Sequence, residues 1–211
     1  SSSKSINKIK KIIYEKKIPF VTTWNGADLV SSDNKFNLGI IGMSGQRGAN
    51  KAIFKSDLLI CLGTHLSIPQ TTTLTENYAK NAKKIIVNID RNQLNNLNLD
   101  FDCKINSDVD LYLKWLNQQK IKNFYWKNLK DFKDMNWYIP KETNKPNSNF
   151  FIHSLTKKIK SKFCLVVDGG GTALYTGFQS SVIKERDRII CSSSISAMGT
   201  GLAETIGVFK S

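Results

Sequence analysis

The sequence is poor in the residues that most often announce a specialised chemistry. Its 211 residues include only four cysteines, four prolines, three methionines and two histidines. Cys61, Cys103, Cys164 and Cys191 form no C-x-x-C pair, so no zinc framework is present. Three of the four lie in apolar runs, where a reduced thiol behaves as a small core side chain. Disulfides are not expected in a reducing compartment. His65 and His153 have no partner pattern for catalysis or metal binding and read as structural or surface residues. No Ser-His-Asp or paired-carboxylate arrangement emerges, so no catalytic residue and no metal ligand is assigned. No apolar run reaches the ~18 residues that span a bilayer. The polar start and the Lys-laced pattern of residues 6–17 do not make a signal peptide. A cytoplasmic location without a membrane partner is expected.

Arginine is scarce too, occurring only at 47, 91, 186 and 188. The formal net charge of +14 therefore comes mostly from lysines scattered along the chain. Arg is the better residue for bidentate contacts to bases and phosphates. With no recognition helix or RNA-binding signature, a nucleic-acid partner is not expected. Lys157, Lys158, Lys160 and Lys162 read as the exposed face of one helix.

What is present is an alternation of helical and strand-like segments, which favours a parallel α/β sheet. Isoleucines at 6, 9, 12 and 13 predict a helix over 5–17, stopped by Pro19. Strands are predicted at 20–24, 57–63 and 83–90, with a weaker one at 102–106. Helices are predicted at 48–56 and at 108–118, the latter with Asp108 near its N-terminus. Residues 119–149 are rich in Lys, Asn and aromatics; a helix is predicted over 124–135 and the remainder reads as a connector. Asn149 is the expected cap of a helix over 150–160. Two apolar runs, 163–168 and 188–191, then each lead into a small-residue turn and a helix. The expected organisation is a domain over 1–120, a linker over 121–148 and the opening of a second α/β domain over 149–211. The sequence begins without Met and stops four residues after Gly207, which reads as a piece of a longer protein.

Two glycine-rich turns are candidate ligand sites, because ligands of open α/β sheets sit outside the carboxyl ends of the strands. In the first, Gly42, Gly45 and Gly48 with Arg47 either let a ligand approach the backbone or form a tight structural loop. The glycine spacing is not the dinucleotide fingerprint. Gly63 and Asp90, at the ends of their strands, complete a possible nucleotide crevice. In the second, Gly169, Gly170 and Gly171 either cradle a phosphate or make a sharp turn. Met198 ends a run of small residues over 192–197.

Taken in order, these segments resemble the thiamine-diphosphate-dependent decarboxylase and acetolactate synthase family. The resemblance covers nearly the whole chain and rests on order and spacing rather than on one motif. Residues 1–120 resemble its central domain through Pro19-Phe20-Val21-Thr22-Thr23, the loop 42–48 with Ala49-Asn50, the strand 56–63, the run 85–90 and the turn Asn106-Ser107-Asp108. Residues 149–211 resemble the opening of its diphosphate-binding domain through Asp168-Gly169-Gly170, Ser196-Ala197-Met198-Gly199 and the helix that follows from Gly201. The implied fold is α/β: a Rossmann-like parallel-sheet central domain followed by the first strands and helices of a second α/β domain.

The resemblance implies a thiamine diphosphate enzyme acting on a 2-oxo acid, by decarboxylation and transfer of the two-carbon unit. A decarboxylase of the same family and a non-catalytic FAD- or ADP-binding module are the alternatives. It gives Met198 the role of an apolar wedge under the bent cofactor, with Gly199 beside it. It makes the Ser196 carbonyl an acceptor for the pyrimidine amine and puts Gly169 and Gly170 near the diphosphate. It places the Gly-Asp-Gly…Asn motif that holds Mg²⁺ beyond Ser211, and the activating Glu before Ser1, so this chain alone is expected to be inactive. Acetolactate synthases carry FAD in the central domain and contact it from a Gly-x-Arg stretch. Gly63-Thr64-His65-Leu66-Ser67 stands there instead, which counts against FAD; either Arg47 is a substitute cation or the crevice is vestigial or differently occupied. A homodimeric or homotetrameric parent is implied.

Overall fold

The isoleucine period produces helix α1 (Ser2–Lys16), with Ile12 and Ile13 buried. Lys17 then takes φ 53°, and Pro19 forbids continuation. In this computed structural model the described residues are 2–71, 73, 75–120, 126–136, 145–192 and 195–210. Strand β1 (Phe20–Thr22) is shorter than predicted, because Trp24–Gly26 turns into a 3₁₀ helix. It pairs in parallel with β2 (Asn37–Ile40), which leads through the first glycine loop into α2 (Arg47–Phe54).

Next come β3 (Leu58–Leu62), the short α3 (Ile68–Thr71), β4 (Lys83–Asn88), α4 (Arg91–Asn95), β5 (Cys103–Asn106) and α5 (Val109–Gln118). β3, β4 and β5 form a parallel sheet with β4 in the centre. Alternation along β4 explains its unbroken apolar run: both faces are covered. Ile86 faces a core that includes Ile41, Ala49, Ile53 and Leu94. Val87 faces the opposite core, with Ile12, Val109, Tyr112 and Leu113. The result is a three-layer α/β/α arrangement. Asp108 caps α5 as expected, accepting from the Asp110 amide at 2.7 Å. Asp110 in turn pairs with Lys8 of α1, and that contact lowers its carboxyl below the usual range.

The predicted connector contains α6 (Leu129–Asn136), whose start is later than the sequence suggests. Residues 121–125 lie outside the described residues, and so does Pro140. α6 packs on the first half of the chain: Phe132 is buried against Leu38 and Ala52, and Lys133 donates to the carbonyls of Ser32 and Asn34. Helix α7 (Ser148–Lys158) is capped by Asn147, which accepts from the Phe150 amide at 3.0 Å. Asn149, the expected cap, sits inside the helix and accepts from the Ser180 hydroxyl. Lys160 and Lys162 fall after the helix end, so the lysine cluster is not a single helical face.

β6 (Cys164–Val166), α8 (Gly171–Ser180), β7 (Arg188–Ile190) and α9 (Thr200–Lys210) complete the chain. β6 and β7 pair in parallel, Val166 opposite Ile190. Among the described residues the strands therefore form three parallel sheets rather than one per domain. The two halves share a core. Trp24 stacks on Phe178 with centroids 5.4 Å apart and planes 10° from parallel, among Ile40, Val167, Ile183 and Ile189. Asp28 accepts from Arg188 Nε at 2.6 Å and from the Ile189 amide at 3.2 Å. Gln46 donates to the Gln179 carbonyl at 3.0 Å. A cavity of about 20 Å³ at this junction has room for a water or two, not for a cofactor.

Candidate cofactor site

Because β6 and β7 are parallel and in register, their carboxyl ends open at the same edge. The turn after each strand is therefore delivered to one place. Asp168, leaving β6, accepts the Gly199 amide on both carboxylate oxygens at 3.0 Å. A Cβ on Gly169 would lie 2.5 Å from the carbonyl carbon of Ser196, and one on Gly170 would overlap the Met198 side chain. Only glycine permits this approach. Ser196 itself takes φ 52°, an uncommon conformation for a non-glycine residue, with its amide held by the Ser192 carbonyl at 2.9 Å.

Five residues named from the sequence, Gly169, Gly170, Ser196, Met198 and Gly199, thus converge. Met198 is 85% exposed while standing against Gly170. A large apolar side chain left in water beside a glycine cradle suits a cofactor that would cover it. The apolar surface continues through Ile195, Leu202, Ile206 and Phe209, all exposed. Asp168 stood in the sequence only as part of the Asp168-Gly169-Gly170 turn, without the role of holding the Gly199 amide, and Glu204 was assigned no role. Among the described residues, Glu204 Oε2 is buried without a hydrogen-bond partner. Beneath it, burial first, then Glu204 and Asp168, push the Cys191 thiol upward, so it stays protonated at neutral pH.

The first glycine turn is built differently. Gly42, Gly45 and Gly48 are buried. The Gly42 amide donates to Asn50 Oδ1 at 2.9 Å, and the Met43 amide donates to the Pro69 carbonyl at 2.8 Å. The amides of Gly48 and Ala49, at the start of α2, donate to Asn136 Oδ1 of α6 at 2.8 and 3.3 Å. Asn136 Nδ2 donates back to the Leu38 carbonyl at 2.7 Å. Arg47 is exposed at the first residue of the helix. Gly63 is exposed beside Val109 with φ 58°. Asp90 caps α4, accepting from the amides of Asn92 and Gln93 at 2.8 and 3.2 Å. No sequence signal pointed to Asn136, because its partners are 87 and 88 positions away.

All four cysteines are free, and burial pushes the Cys61 thiol up to about 12. Among the described residues no cluster of His, Cys, Asp or Glu could hold a metal ion. Among them, too, no helix is long and apolar enough to cross a membrane.

Comparison with known proteins gives the edge of β6 and β7 its context. The chain is 24% identical to the acetolactate synthase isozyme 2 large subunit of Escherichia coli K12 over 212 residues, covering 97% of this chain and 37% of that protein. It is 42% identical over 82 residues to the acetolactate synthase large subunit of Porphyra purpurea, covering 39% of this chain and 14% of that protein. Against the acetolactate synthase large subunit of Cyanidium caldarium the identity is 28% over 216 residues, covering 97% of this chain and 36% of that one. The chain spans little more than a third of the relatives that it matches end to end. The sequence model for the central domain of thiamine pyrophosphate enzymes matches residues 1–116, more than half of the chain. With that match lying over the three-layer unit and the glycine cradle following it, the chain belongs to the thiamine pyrophosphate enzyme family.

Proposed function

We propose that this chain is the central unit and the first cofactor-facing wall of a thiamine-diphosphate- and Mg²⁺-dependent enzyme. The enzyme decarboxylates a 2-oxo acid and transfers the two-carbon unit, as the names of its acetolactate synthase relatives suggest. The observation that carries the reading is the convergence of Gly169 and Gly170 on Ser196 and Met198, with Met198 left 85% exposed. When bound, thiamine diphosphate supplies the electron sink for cleaving the bond beside the keto group.

The chain's own residues position and exclude. Met198 presents an apolar prop, and Gly170 leaves room for that side chain to pack against the backbone. The Ser196 carbonyl is the acceptor for the pyrimidine amine, held by the left-handed backbone at that residue. Asp168 fixes the Gly199 amide, so the prop and the glycine turn move as one piece. Gly169 and Gly170 border the diphosphate. The Mg²⁺ ligands come from chain outside these residues. The exposed apolar face of 195–209 supports a dimeric or tetrameric parent, which we place in the cytoplasm.

Met198→Ala, made in the full-length protein carrying this chain, tests the reading. CO₂ release from pyruvate should fall by about ten- to a hundredfold, and thiamine diphosphate affinity, read by tryptophan fluorescence quenching, should weaken. Unchanged turnover and affinity would rule out the prop.

A further inference from the structure

We infer that the glycine-rich loop of the central unit is a socket for the chain's own helix α6, and that this unit admits no external dinucleotide. The inference is independent of the thiamine diphosphate reading, whose residues lie in the other half of the chain.

A dinucleotide diphosphate needs donors. In α/β folds these are loop amides and a helix N-terminus, open to the ligand. Here the amides of residues 42, 43, 45, 46, 48, 49 and 50 already have acceptors inside the protein. The N-terminus of α2 is the decisive case. Asn136 Oδ1 takes the Gly48 and Ala49 amides together, the contact that a helix cap makes, but it comes from another helix. Steric evidence agrees. A Cβ on Gly48 would overlap the Phe132 carbonyl oxygen of α6, and one on Gly42 would overlap the Pro69 carbonyl oxygen. The glycines are needed so that protein backbone can come close, and it has done so. Lys133, whose amine burial lowers from its usual range, and the buried Phe132 ring complete the seating of α6.

Other residues of the crevice also have partners inside the protein, Asp90 through its Oδ1. The Asp90 carboxylate, the group placed to take a ribose, accepts two amides of α4. The Asp90 amide donates to Asn88 Oδ1 at 2.9 Å, which fixes Asn88 Nδ2 as the donor to Gln93 Oε1 at 2.6 Å. Gln93 Nε2 therefore faces His65 Nδ1 as a donor. His65, standing where the resemblance places Arg, is the last member of this internal hydrogen-bonded chain.

The test has two arms on the 211-residue chain. FAD and ADP are titrated by flavin fluorescence and calorimetry, with a cooperative thermal melt establishing that the sample is folded. No saturable binding of either up to about 1 mM is expected. One-to-one binding of FAD or ADP, above all binding that Arg47→Ala weakens, would overturn the inference. In the second arm, Asn136→Ala should lower the folding equilibrium constant about tenfold. Asn136→Asp should fall between that variant and the parent, because its carboxylate still accepts both amides but sets an acceptor oxygen against the Leu38 carbonyl, where Asn136 Nδ2 donates. An Asn136→Ala variant as stable as the parent would show that α6 is not seated on the loop.

Discussion

The two glycine turns, 42–48 and 168–171, follow parallel strands in the same way and yet end in opposite conditions. In the first, the glycines are buried and their amides are consumed by Asn50, Pro69 and Asn136. In the second, the turn abuts 196–199, and a Cβ on Gly171 or Gly199 would meet nothing within 4 Å. A glycine after a strand reports that something approaches the backbone. Whether that something is protein or ligand depends on which distant segment arrives, and the local sequence does not say.

Substitutions at a glycine of the closed turn and at one beside the open turn sharpen the contrast. Gly48→Ala should be the most costly, about 3 kcal/mol, because its Cβ collides with fixed backbone in α6. Chemical denaturation measures it, and a loss under 1 kcal/mol would mean that α6 yields easily. Gly199→Ala should cost about 1–2 kcal/mol, from the left-handed backbone alone at φ 86°, since the space beside it is open. A cost as large as that of Gly48→Ala would erase the distinction between the closed and open turns.

The smallest effect concerns pH. Burial, then Lys157, lowers the His153 pKa below its ordinary 6.5, against a raising contact from the Ser180 backbone. The unfolded chain then binds the proton more readily than the folded one. His153 thus contributes stability that is present above pH 6.5 and lost as pH falls through its folded value. The thermal midpoint should rise between about pH 5 and 7, and less so in His153→Gln. Equal slopes in the two proteins would remove His153 from the account.

Much of the fold was legible because it rests on local rules. The α1 isoleucine period, the apolar run of β4 and the Asp108 cap act within a few residues, and all appear as read. The Asn cap of α7 was misplaced by two residues, because Asn147 and Asn149 are chemically alike and only the contact with Ser180 separates them. The helix predicted within the 121–148 linker is there as α6, but nothing local showed that Phe132 and Asn136 turn inward to partners almost a hundred residues away. The convergence of 168–170 on 196–199 followed from parallel pairing, whereas the buried oxygen of Glu204 carried no sequence signal.

The stack of Trp24 on Phe178 also has a consequence in time. Translation runs at roughly 5–20 residues per second. Trp24 therefore leaves the ribosome on the order of ten seconds before the ring that covers it. During that interval the edge of β1 and β2 presents an apolar surface with its future neighbours still unmade. That surface stays open until residues 163–191 have been made.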